Sequence, residues 1–269
     1  MSFRALDISL EEFEIGLSGA VPEREGWSEP AMDRGILEFV QSFSGIVFKY
    51  GGRIVHGCHP TFTPVILRQA RLHAGARLRK PVTLVMSALW ANDLSRGEVE
   101  SMIDIAELVI TKKEGGGGPE NTDTRNRSLT AMRRVLVDAQ IVMVAVGGKM
   151  HTADGKVPGV AEEMKFAELK GIPRFLIGGL GGFSQVLAKG LTPYFLNNSL
   201  THEENVALFS TTDVSACVNI LVQHLARSES LAKTLNQPIK WNPGNRAILD
   251  HRDGTLSETT NLIDTVLAV

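Results

Sequence analysis

Two adjacent carboxylates, Glu162 and Glu163, follow Gly159 by three and four residues, shortly after an apolar run that ends in Gly147-Gly148-Lys149. Carboxylates at a helix start beside a glycine turn can stabilise a cationic carbon or activate water, while backbone N–H groups hold an anion. Acids in a first helical turn also simply complement the helix dipole, and both readings of the pair stay open. A position in that first turn predicts an ionised Glu163. Three further places supply groups suited to phosphate or ribose: Ser18-Gly19, the loop Gly57 to Pro64 with His59, Thr61 and Thr63, and the turn holding Gly178, Gly179, Gly181 and Gly182. Arg125 and Arg127 border a glycine-rich loop and are suited to phosphate, whereas Arg133 and Arg134 inside a helix read as solvated. His56, Cys58 and His59 lie close together, but no second Cys/His cluster completes a metal cage, so no metal and no cofactor are expected. The Gly179-to-Ser184 run only partly mimics a dinucleotide fingerprint, and it follows a late strand.

These groups are positioned by alternating elements. Phe13–Leu17, Arg53–Gly57, Pro81–Met86, Glu107–Thr111 and the runs IVMVAV and IPRFLI read as strands. Between them, Asp33–Tyr50, Pro64–Arg77, Arg96–Ala106, Arg127–Asp138 and the segment after Pro158 carry helical periodicity, with Thr63 a plausible N-cap before Pro64. The segment EGGGGPENTDTRN reads as a mobile loop. Strand, glycine turn, helix and strand again predict an α/β Rossmann-like fold, a mainly parallel sheet with helices on both faces. Ligands bind such sheets at the carboxyl ends of the strands. Val214–Arg227 reads as an amphipathic helix, 235–252 as irregular and 256–269 as a terminal helix.

Composition bounds the class. A chain of 269 residues, 43% hydrophobic, is sufficient for one large α/β domain over 1–269, with an irregular and helical extension from about residue 195. The net charge of −2 carries no footprint for duplex nucleic acid. The two cysteines, the absence of a signal-peptide pattern and the lack of a long apolar run predict a cytoplasmic protein away from the membrane. The apolar residues of Val214–Val222 and Leu262–Val269 predict a homo-oligomer, most simply a dimer.

The chain resembles the SLOG superfamily of Rossmann-like proteins, which includes the Lonely Guy phosphoribohydrolases, DprA and the sensor domain of TRPM channels. Its closest likeness is to the bacterial nucleotide-signalling branch. The resemblance rests on LSG after the first strand, GGRIVHGCHPTFTP around the second, and DAQIVMVAVGG, GVAEE and FLIGGLGG, and covers Phe13 to Phe195. Gly147-Gly148 match the first half of the Lonely Guy motif P-G-G-x-G-T-x-x-E. Gly159 to Glu163 match the second, which implies that Glu163 takes the place of the catalytic glutamate. Val146 stands for the proline, Val160 for the threonine, and KMHTADGKVP separates the halves. The resemblance implies a nucleotide-binding protein. Two functions follow: cleavage or transfer of the N-glycosidic bond of a nucleotide or an NAD/ADP-ribose-like compound, or non-catalytic sensing of a nucleotide messenger for an effector partner. An oxidoreductase reading lacks a first-strand fingerprint.

Overall fold

Six short, largely apolar runs make one parallel sheet: β1 (Glu14–Ala20), β2 (Arg53–His56), β3 (Val82–Ser87), β4 (Ala106–Thr111), β5 (Val142–Gly147) and β6 (Arg174–Ile177). The computed structural model describes residues 9–22, 29–75, 78–150 and 157–234. The strand order is β4-β3-β2-β1-β5-β6, with every neighbouring pair parallel. The order reverses between β1 and β5, which opens a crevice at their carboxyl ends.

Buried parallel strands are apolar on both faces, and this sheet is sealed from both sides. Val142, Val144 and Val146 of β5 face α1 (Pro30–Lys49), α2 (Thr63–His73) and α9 (Val214–Thr234) in one core. Met143 and Ala145 face α5 (Thr122–Asp138), α6 (Gly159–Leu169) and α7 (Phe183–Gly190) in the other. This is the Rossmann-like α/β fold expected from the alternation of elements, with helices on both faces.

Local chemistry explains where the boundaries differ from expectation. β1 runs on through Ser18, Gly19 and Ala20, because these pair with Ala145, Val146 and Gly147 of β5. Ser18-Gly19 is thus strand, not turn. α5 begins at Thr122 instead of Arg127, since Asn121 accepts the Thr124 N–H at 2.9 Å as an N-cap. The preceding glycine-rich loop is tied down: Ser128 accepts from the Glu114 N–H and Thr124 from that of Gly117. Three short elements were not anticipated: α3 (Ala88–Ala91), a 3₁₀ turn at Pro193–Leu196 and α8 (His202–Ser210). α4 (Arg96–Ile105) starts with a capping box formed by Ser95 and Glu98.

Val214, Cys217, Val218, Leu221, Val222 and Leu225 of α9 are buried in the core that α1 shares. The apolar face expected to join two subunits is therefore covered within the chain, and 235–252 and 256–269 lie outside the described residues. Among the described residues, no helix is long and apolar enough to cross a membrane.

His56 fastens the centre of the sheet. Its Nδ1 lies 2.8 Å from the Leu17 carbonyl and its Nε2 accepts the His59 N–H at 3.2 Å, which fixes a neutral ring protonated at Nδ1. Burial pushes its pKa down from 6.5 to about 4. The unfolded chain takes up this proton below about pH 6.5 while the folded chain refuses it until about pH 4. The contribution is present above that window and lost as pH falls through it, at a cost of roughly 3 kcal/mol. We expect the His56 ring, followed by NMR, to titrate near 4 in the folded protein and denaturant stability to fall over this window. Titration near the ordinary value of 6.5 would contradict the burial argument.

Candidate functional site

A cavity of about 680 Å³ opens at the carboxyl ends of β1, β2, β3 and β5. Its floor is Leu17 to Ala20, one rim is His56 to Pro60, and the opposite rim is Gly148, Lys149 and the start of α6. α5 supplies one long wall. Arg125, Asn126, Leu129, Met132 and Arg133 recur at helical spacing and so share one face. The α6 N-terminus has no side-chain cap, and its first intrahelical bond runs from the Glu162 N–H to the Pro158 carbonyl at 3.1 Å. The N–H groups of Gly159, Val160 and Ala161 precede that bond, so the positive end of the helix meets the cavity.

Both acids are engaged by one arginine. Arg133 Nη1 donates to Glu162 Oε2 at 2.5 Å, Thr130 donates to Glu162 Oε1 at 2.6 Å, and Arg133 Nε stands 3.7 Å from Glu163 Oε1. Glu163 is only 9% exposed. Desolvation pushes its carboxyl above the ordinary range, against the attraction of Arg133 and a weaker pull from Ser18, and the neighbouring Glu162 pushes it up further. Burial therefore opposes the ionised form that the helix start favours. Ser18 Oγ, Asn126 Nδ2, Arg133 Nε and Glu163 Oε2 are all buried and none makes a well-formed hydrogen bond, although Ser18 and Arg133 Nε both lie close enough to Glu163 to pull on its carboxyl. Buried polar atoms of this kind cost free energy until they gain a partner, and four of them lie around this one cavity.

Of the residues singled out in the sequence, Ser18, Gly19, Gly57, His59, Arg125, Gly148, Lys149, Gly159 and Glu163 line this cavity. Others are placed elsewhere. Thr61 accepts the Val21 N–H and bonds His59 Nδ1, while Thr63 donates to the His59 carbonyl. Both hydroxyls thus fasten the loop, and Thr63 opens α2 without acting as its N-cap. Arg127 points outward to Asp123, with 59% of its side chain exposed. Glu162 stands behind Glu163 against α5. The turn at Gly178, Gly179, Gly181 and Gly182 is a packing device. The Gly178 and Gly179 N–H groups both go to the Leu208 carbonyl and that of Gly181 to Gly178. A Cβ at Gly179 would lie 2.0 Å from the Thr211 carbonyl oxygen, and one at Gly182 2.5 Å from Gly147. Gly147 and Gly148 close the β1–β5 seam, the Gly148 N–H donating to the Ala20 carbonyl at 2.7 Å. The first-turn N–H groups of α6 remain as backbone donors at the cavity.

Among the described residues, no group of three His, Cys, Asp or Glu side chains could hold a metal ion. Cys58 has a left-handed backbone (φ 55°), and burial pushes its thiol up to about 12, which leaves it unreactive. Sequence reasoning missed Arg133, Asn126, Leu129, Met132, Met86 and Trp90. The signal available was the α5 N-cap: with the helix begun at Asn121, the stripe 126-129-133 falls on one face.

The family model described as SLOG cluster2 matches residues 91–238. The match includes α8 and α9, which the resemblance read from sequence left out. No curated protein matches. A solved structure of TM1055, a structural genomics target, is 16% identical and covers 78% of this chain and 99% of that one, at a TM-score of 0.47.

The raised pKa of Glu163 has a measurable consequence. Its stabilising contribution is complete below about pH 4.5 and is lost as pH rises through the folded value. We expect Glu163→Gln to melt higher than wild type near pH 7.5, by about 2–4 °C for each kcal/mol recovered, with the gap closing towards pH 4.5. A variant equally destabilised at both pH values would contradict this.

Proposed function

We propose that this chain, which belongs to the SLOG cluster2 family, binds a nucleotide in the cavity above β1 and β5 and cleaves or transfers its N-glycosidic bond. A nucleotide-related function is the family's; the bond and the residues are our reading. The observation that carries it is the buried Glu163 carboxyl, without a hydrogen bond at Oε2, between Ser18 and Arg133 at the open end of α6. An anionic phosphate suits the α6 N–H groups together with Lys149 and Arg125 at the rim. Burial raises the proton affinity of this carboxylate, which suits it to take a proton from water.

In this reading Glu163 takes a proton from water as the water oxygen bonds the anomeric carbon. The carbon–nitrogen bond breaks with its electron pair going to the base, which then receives the proton. Arg133 offsets the charge that Glu163 exposes before the proton is taken. The second reading, a non-catalytic sensor acting through an effector partner, is favoured by Val146 and Val160, which replace the proline and threonine of the Lonely Guy motif.

The test is single-turnover incubation with AMP, NAD, ADP-ribose and cyclic dinucleotides, followed by mass analysis. Wild type should release a free base from one of them, and Glu163→Gln should lose roughly 10²–10⁴-fold in rate while still binding. Binding by wild type without cleavage would favour the sensor. Equal rates for the two proteins would remove Glu163 from the chemistry.

A further inference from the structure

The cavity has two chemically distinct halves. One holds the carboxyl, the guanidinium and the α6 N-terminus. The other is walled by Met86, Trp90, Leu129 and Met132, none of which the proton transfer uses. Trp90 is held there by a short local device: Ser87 at the end of β3 accepts the Leu89 N–H at 3.2 Å and starts α3, which carries the indole to the rim. Leu129 and Met132 come from the inward face of α5. A polar atom without a partner stands on the same wall. Asn126 Nδ2, on the same helical face as Leu129 and Arg133, is buried and has no hydrogen-bond partner.

An apolar wall that includes an indole suits the faces of a heterocycle, and stacking on such a ring is worth about 1–3 kcal/mol per base. A buried amide donor without an acceptor costs free energy until an acceptor arrives, and the edge of a purine presents one at N7. We infer that Met86, Trp90, Leu129 and Met132 form a nucleobase subsite and that Asn126 selects a purine by donating from Nδ2 to its N7. Asn126 and Trp90 are then the residues that determine specificity, acting on the base while Glu163 acts at the sugar. The inference rests on the nucleotide reading of the same cavity.

The experiment is calorimetric binding of AMP, CMP, 7-deaza-AMP and ribose 5-phosphate to the full chain carrying Glu163→Gln, so that no turnover consumes the ligand. AMP should bind more tightly than CMP or ribose 5-phosphate, and 7-deaza-AMP should bind roughly three- to tenfold more weakly than AMP, the loss of one hydrogen bond. Adding Asn126→Asp, which removes the donor but keeps the shape, should weaken AMP and erase its advantage over 7-deaza-AMP. Adding Trp90→Ala should weaken AMP roughly tenfold or more and leave ribose 5-phosphate unchanged. Ribose 5-phosphate binding as tightly as AMP would overturn the base subsite while leaving the phosphate end of the reading intact. Equal binding of AMP and 7-deaza-AMP, or an advantage that survives Asn126→Asp, would overturn the role of Asn126. Failure of all four ligands to bind the folded protein would overturn the base subsite together with the reading that the cavity holds a nucleoside monophosphate.

Discussion

The pairing of β1 with β5 is the constraint on which the site depends. The two strands run in register from Ile15↔Val142 to Ala20↔Gly147, and the seam is closed by the Gly148 N–H on the Ala20 carbonyl. They belong to opposite halves of the sheet, so the helices that follow them leave on opposite faces. A crevice at their ends follows from chain direction alone. Because β1 stays in the sheet through Ala20, Ser18 is held as a strand residue on the floor of that crevice and cannot swing away as a turn residue would.

The charges within the crevice are set by that geometry. α5 and α6 pack on the same face of the sheet, which brings Arg133 of one against Glu162 and Glu163 of the other. Glu162 is satisfied by Arg133 and Thr130, so it holds the guanidinium in place. Glu163 has the looser contact to Arg133 at 3.7 Å and a pull from Ser18, and desolvation is the largest influence on its carboxyl. Two identical side chains one residue apart thus acquire different tasks, because one faces the neighbouring helix and the other the cavity. Natural folds accept such orphaned groups where a ligand completes them.

The sheet was legible because a strand buried on both faces has to be written as a continuous apolar run, as Ile141 to Val146 is. Glu163 was legible because its spacing from a glycine turn is local. Arg133 was not: the partner that makes it functional sits 29 and 30 positions away, and its own helix looks the same whether that face is wet or buried. The glycines at 178–182 were misread for a related reason. A glycine that lets a backbone approach α8 and one that lets a backbone approach a phosphate leave the same mark in a sequence. α8 itself was readable, since Thr201 and Glu204 form a capping box at its start. Asn126 lies in a helix whose start is hard to read, because the N-cap at Asn121 sits in a glycine-rich stretch with the composition of a loop.

The central claim is that a nucleotide supplies partners to Ser18 Oγ, Asn126 Nδ2, Arg133 Nε and Glu163 Oε2. A crystal structure of the Glu163→Gln protein with AMP addresses it directly. The account predicts the phosphate at the first turn of α6, with Ser18 Oγ and the side chain at 163 each within about 3 Å of a ligand atom. A nucleotide bound outside the crevice, or one bound inside it that leaves Ser18 and residue 163 without partners, would contradict the account.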